Sequence, residues 1–336
     1  MNVIKVIRSK EWWEYKLPPL LAMGYATVVI SGEKIYAFAG HLAFLLASII
    51  VGAVYVSVVN DMTDMEEDRA SGKHNRLSKL HPAVRWLLLT ASLALGAFCA
   101  WRMRGDMLTL CLYLASYLAF TLYSVPPFRL KKRGFAGVMA DASGAHLFPS
   151  LLLVAGTSYF LQQQLNWWWF GAVGVWAFMC GLRGILWHQF IDRENDLKIG
   201  LATFATKREP SSMKHAAMLI LAVELVALGV MLYCIGSIWP LLALAAYSLL
   251  LAGYAMKWDM KLIAIVPPAD KGWHILMSSY YQGLFPVAIL VHASIGYPLN
   301  AVVLAVHLLL FPRTVWKLFR DALKISVLLP GRSHPG

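Results

Sequence analysis

Charge is scarce in this sequence: Asp, Glu, Lys and Arg supply 14% of its 336 residues, against 59% hydrophobic. Several uncharged runs are long enough to cross a hydrocarbon core of roughly 30 Å, which excludes a soluble globular fold. Segments that alternate polar and apolar residues are also lacking. The stretch LLLTASLALGAFCAW, residues 87–101, is apolar on every face, which excludes a β-barrel. Cysteine is sparse as well. Cys99, Cys111, Cys180 and Cys234 lie inside apolar runs without C-x-x-C spacing, and the histidines form no H-E-x-x-H pattern. Neither a disulfide nor a zinc site is expected. The N-terminal MNVIKVIRSKEWWEYK has no apolar core followed by a small-residue cleavage site, so no cleaved signal peptide is expected.

What is present is a succession of apolar runs that predicts an all-α polytopic membrane protein. Nine transmembrane helices are expected, over 17–32, 35–59, 84–101, 107–125, 137–160, 167–187, 215–234, 238–256 and 274–296. The stretch 298–312 is a tenth span, a tilted helix or an interfacial amphipathic segment. The chain thus divides into an N-terminal interfacial segment, 1–16, a transmembrane domain, 17–296, and a C-terminal helix with a basic tail, 297–336. With the N-terminus inside, inner segments carry 21 Lys and Arg and outer loops only Lys34, Arg102 and Arg104. The positive-inside rule therefore predicts a cytoplasmic N-terminus, in the inner membrane if the source is bacterial. This topology accounts for most of the net charge of +12, and no nucleic-acid partner is expected. Asn166 and the tryptophans 167–169 read as an outer aromatic belt.

Against that background, NDMTDMEEDRASGKHNR, residues 60–76, stands directly after an uncharged span. On a helix continuing out of that span, Asp61, Asp64 and Asp68 are spaced by three and four and project from one face. An EF-hand is excluded, because its loop needs oxygen ligands on alternate residues and a central glycine. A second pair, Asp192 and Asp196 in HQFIDRENDLKIG, ends the sixth span on the same membrane side. Two such carboxylate faces repel unless cations lie between them, and carboxylates without soft ligands suit magnesium completed by substrate phosphate oxygens. On that side too lies YSVPPFRLKKRG, which offers Tyr123, Arg129, Lys131, Lys132 and Arg133 to an anion.

At these residues the chain resembles the UbiA superfamily of intramembrane prenyltransferases. Asn60, Asp61, Asp64 and Asp68 match that family's N-D-x-x-D-x-x-x-D motif, and Asp192 and Asp196 its D-x-x-x-D motif. The LKIG that follows gives Lys198 a diphosphate contact by resemblance, and the YSVPPFRLKKRG loop is similar to the family's basic loop. Two positions depart: Leu77 follows Arg76 where many relatives have proline, and His188 stands where many carry tyrosine. The resemblance implies nine helices, a cytoplasmic-side active site, Mg2+, and as partners a polyprenyl diphosphate donor, a lipophilic or aromatic acceptor and membrane lipid.

The chemistry expected is ionisation of the allylic carbon–oxygen bond. Carboxylate-held magnesium with Arg76, Lys131 and Lys198 stabilises the departing diphosphate, and apolar and aromatic walls shield the cation. Asp141 and His146, polar groups within the fifth span, either orient the acceptor and take its proton or form a buried pair packing helices. Competing readings are a UbiA-type terpene cyclase, in which a double bond of the same chain captures the cation, and a cation-coupled transporter. The transporter is disfavoured because its carboxylates would sit near the bilayer midplane.

Overall fold

The computed structural model describes residues 9–70, 72, 75–198, 200–269 and 271–327. The elements in chain order are α1 (Ser9–Ile30), α2 (Ala39–Thr63), α3 (Met65–Ala70), α4 (Pro82–Met103), α5 (Met107–Ser124), α6 (Phe135–Phe160) and α7 (Trp167–Lys198). They continue with α8 (Met213–Ile235), α9 (Ile238–Trp258), β1 (Lys261–Ile263), β2 (Trp273–Ile275), α10 (Phe285–Gly296), α11 (Asn300–Leu310) and α12 (Pro312–Val327). Helix starts follow from local chemistry. The Asp106 carboxylate accepts from the amides of Leu108 and Thr109 at the start of α5, at 3.3 and 3.2 Å, and the Ser237 hydroxyl accepts from Trp239 at the start of α9.

Seven helices among the described residues are long and apolar enough to cross a bilayer: those built on α2, α4, α5, α6, α7, α8 and α9. Their outer faces carry exposed large apolar side chains such as Leu87, Phe98, Val226 and Leu249, which in a bilayer meet lipid. The protein is an integral membrane protein. The first expected span, 17–32, falls for the most part on α1, which runs from Ser9 to Ile30 and is not one of these seven.

Three expectations need correction. The second span does not continue unbroken through Asp68: α2 ends at Thr63, and the chain resumes as the short α3. The cause is competition for hydrogen-bonding groups, because the Thr63 carbonyl accepts from Arg129 Nη2 at 2.9 Å and the Thr63 hydroxyl donates back to the Val59 and Asn60 carbonyls. The expected span 274–296 begins instead with β2, and its helical part, from residue 278, passes through a π-turn at Tyr280–Leu284 before α10. The stretch left open at 298–312 is the 11-residue α11, which meets α12 at 86°. Pro312 starts the new helix there, where its missing N–H costs nothing.

β1 and β2 pair in parallel, with Leu262 opposite His274, and fold back against the bundle. Non-helical backbone inside a membrane protein must find partners within the protein. Arg183 of α7 supplies them: Nη1 donates to the carbonyls of Ala264 at 3.2 Å and Leu276 at 3.1 Å. The same guanidinium is clamped by Glu224 of α8 through Nε–Oε2 at 2.6 Å and Nη2–Oε1 at 2.8 Å, and Tyr281 donates to Oε1 at 2.9 Å.

Candidate active site

Because successive spans alternate in direction, the C-terminal ends of α2, α5 and α7 and the N-terminal end of α6 share one end of the bundle. Both aspartate motifs and the loop joining α5 to α6 therefore converge there. In the first motif, Asn60 Oδ1 accepts from Ser124 Oγ, which ties α2 to α5. Asp61 is buried, and its carbonyl accepts from Asn75 Nδ2 at 2.7 Å. The same Nδ2 group donates to Asp68 Oδ2 at 2.8 Å, while Asn75 Oδ1 accepts from the amides of Leu77 and Ser78 at 3.1 Å. One asparagine thus fastens the turn at 75–78 to the motif. Arg76 follows directly, half-buried, at the head of the turn Leu77–Lys79.

Asp64 sits at the break between α2 and α3, where the basic loop docks on it. Lys131 pairs with Asp64, and Arg129 reaches Asp64 at 3.3 Å and Glu67 at 3.0 Å. Lys132 pairs with Glu67 instead. Two local features press the loop into place. Arg129 adopts a left-handed backbone with φ of 40°, and Gly137 lets the loop approach α6 so closely that a Cβ there would lie 2.6 Å from the Leu130 carbonyl oxygen.

The second motif ends α7. Asp196 is buried while Asp192 and Lys198 are exposed. Asp196 and Asp141 both act electrostatically on Tyr123, which places α5, α6 and α7 around one polar centre. Lys16 of α1 and His188 of α7 act on Asp141 and on His146. A Cβ on Gly181 would lie 2.8 Å from the Ala142 carbonyl oxygen, so α6 and α7 are in closest approach beside Asp141. His188 is exposed and its ring lies tilted against that of Trp187, at 4.5 Å between ring centroids.

Beneath this polar end lies an open apolar cavity of about 130 Å³ between α1, α2, α5 and α6. Its walls include Trp12, Ala53, Tyr55, Tyr113, Tyr117 and Phe120, with Lys16 the one charged side chain on them among the described residues. Tyr55 and Tyr117 stack at 4.8 Å, and Tyr117 and Tyr113 share a hydrogen bond of 3.1 Å. A carboxylate-rich rim over an aromatic chamber suits a ligand with an anionic head and an apolar tail.

The site residues named from sequence sit at the helix ends and loops of this side, except Asp141 and His146, which lie further along α6, and they do not form one preassembled cage. Among the described residues no three His, Cys, Asp or Glu side chains converge to metal-binding distance. Sequence reasoning missed Asn75, Lys16, Arg183 and Glu224. The last two carried a signal, since charged residues inside apolar runs at 167–187 and 215–234 are costly unless partnered.

The sequence matches the model of the UbiA prenyltransferase family over residues 18–271. No curated protein matches it. Among solved structures, a UbiA homolog from Archaeoglobus fulgidus bound to GPP and Mg2+ superposes with a TM-score of 0.58 at 16% identity, covering 90% of this chain and 100% of the other. The form bound to DMAPP and Mg2+ gives 0.52 at 13% identity over 88% and 100%, and the form bound to Cd2+ gives 0.59 at 17% over 88% and 100%. With the family pattern spanning most of its length, the chain belongs to the UbiA prenyltransferase family.

Proposed function

We propose that this protein transfers a prenyl group from a polyprenyl diphosphate to a lipophilic or aromatic acceptor within the membrane. The observation that carries this reading is the stacking of two aspartate motifs and a docked basic loop over an apolar, aromatic cavity. In the proposed topology nine spans place the N-terminus and the site on the cytoplasmic side, in keeping with the 21 inner and three outer basic residues.

The tail of the donor fills the cavity and its diphosphate meets the rim. Asp61, Asp64, Asp68, Asp192 and Asp196 offer only oxygen ligands, a donor set that suits magnesium shared with phosphate oxygens rather than caged by protein. Magnesium so held supplies a Lewis acid for the leaving diphosphate. Lys131 and Arg129, already on Asp64, lie where they can exchange that carboxylate for phosphate oxygens, with Arg76 and Lys198 completing the cationic rim. The allylic carbon–oxygen bond breaks with its electron pair going to diphosphate. The allylic cation then meets the faces of Tyr55, Tyr117 and Phe120. A nucleophilic atom of the acceptor forms the new bond and releases its proton to Asp141 or His146, which share a centre with Tyr123, Lys16 and His188.

Mass spectrometry of membrane lipids from cells carrying the wild-type protein or Asp64→Asn tests the reading. A prenylated lipid present only with the wild type is expected. A cyclic hydrocarbon or alcohol formed from donor alone would assign the protein to cyclisation instead.

A further inference from the structure

The sequence of α12 divides into three faces. Thr314, Leu318, Asp321 and Ile325 recur at helical spacing and turn toward the bundle. Tyr254 of α9 donates to Asp321 at 2.8 Å, Lys257 donates to the Ile325 carbonyl at 2.5 Å, and Gly253 and Gly283 give way to Ile325 and to Thr314. A second face presents Trp316, Phe319 and Leu323, which are 63%, 55% and 49% exposed. The third aligns Arg313, Lys317, Arg320 and Lys324, all exposed. Arg313 lies 4.0 Å from Glu14 and Arg320 3.9 Å from its own neighbour Asp321.

Two placements decide what this surface meets. α12 turns 86° away from α11, so it runs across the bundle rather than along it. It also docks at the C-terminal end of α9 and beside Glu14 of α1, the end of the bundle that carries both aspartate motifs. A helix lying crosswise at the end of a membrane bundle, with an aromatic stripe beside a cationic one, matches the layered chemistry of a bilayer surface. Apolar rings enter the acyl boundary while ammonium and guanidinium groups reach phosphates.

We infer that α12 is an in-plane membrane-surface helix whose Arg313, Lys317, Arg320 and Lys324 stripe binds anionic phospholipid headgroups, with Trp316, Phe319 and Leu323 seated in the acyl layer beneath.

The test uses the full chain in nanodiscs and isolates the Trp316 fluorescence as the difference between wild type and Trp316→Phe. Two lipid mixtures are compared: phosphatidylcholine with dibrominated phosphatidylglycerol, and the same mixture with the bromines on phosphatidylcholine. The Trp316 component is expected to be quenched more strongly when the anionic lipid carries the bromines. Replacing Lys317, Arg320 and Lys324 together with Gln should bring the quenching in the two mixtures close to equal. Equal quenching in the two mixtures would overturn the headgroup assignment. A component unquenched in both, with Leu323→Cys forming a disulfide-linked dimer or not, would overturn the in-plane placement. Each variant's thermal transition, staying within a few degrees of wild type, separates loss of lipid binding from loss of fold.

Discussion

Replacing Arg183 with Met should destabilise the protein more than any single change at the aspartate motifs. The wild-type guanidinium makes two hydrogen bonds to Glu224 and donates to the carbonyls of Ala264 and Leu276, and both partners in the ion pair are almost fully buried. Removing it strands Glu224, a loss of about 3 to 5 kcal/mol for a broken buried pair. Each orphaned carbonyl adds on the order of 1 kcal/mol. For a chain of this length such a total corresponds to a melting shift of roughly 5 to 10 °C. Arg183→Met with Glu224→Leu removes the stranded charge and should recover about half of the loss, while the Ala264 and Leu276 carbonyls stay without their donor. Thermal unfolding in one detergent, followed by tryptophan fluorescence, reads all three proteins. A single variant melting within about 2 °C of wild type, or a double variant no better than the single, would refute the role given to this pair.

Three further outcomes follow from the site. Lys131→Ala should weaken magnesium-dependent binding of farnesyl diphosphate roughly 10- to 100-fold, and Lys132→Ala less than about threefold. Lys131 contacts the motif aspartate and is 12% exposed, whereas Lys132 pairs with Glu67 at 39%; equal losses in a radioligand assay would contradict this contrast. Gly137→Ala puts a Cβ against the Leu130 carbonyl and should weaken the same binding by shifting the loop, with the melting temperature changing by only a few degrees. Ala53→Trp fills part of the cavity and should abolish binding of farnesyl diphosphate while leaving inorganic diphosphate bound, as competition measurements can read.

The parts of this structure legible in the sequence are those encoded locally. Apolar runs located α2 and α4 through α9, and the spacing of Asp61, Asp64 and Asp68 located the site because it follows such a run. What stayed hidden depends on partners far along the chain. The helix break at Asp64 comes from a guanidinium 66 residues away taking the Thr63 carbonyl, which no local propensity encodes. The clamp on Asp68 comes from Asn75, whose composition reads simply as loop. Arg183 and Glu224 are 41 residues apart and each alone reads as an anomaly; only their meeting shows how the non-helical carbonyls of Ala264 and Leu276 find a donor. The angle between α11 and α12 was half legible, since Pro312 marks a break but not its direction.

The central claim, that the two aspartate motifs jointly hold a prenyl diphosphate through magnesium, is tested most directly by equilibrium binding of labelled farnesyl diphosphate to the purified protein in nanodiscs. Wild type, Asp64→Asn and Asp192→Asn would each be measured with magnesium and with EDTA. Binding that requires magnesium in the wild type and is lost in both variants, with melting temperatures unchanged, is the predicted result. Binding that persists in EDTA, or survives the loss of either carboxylate, would contradict the account.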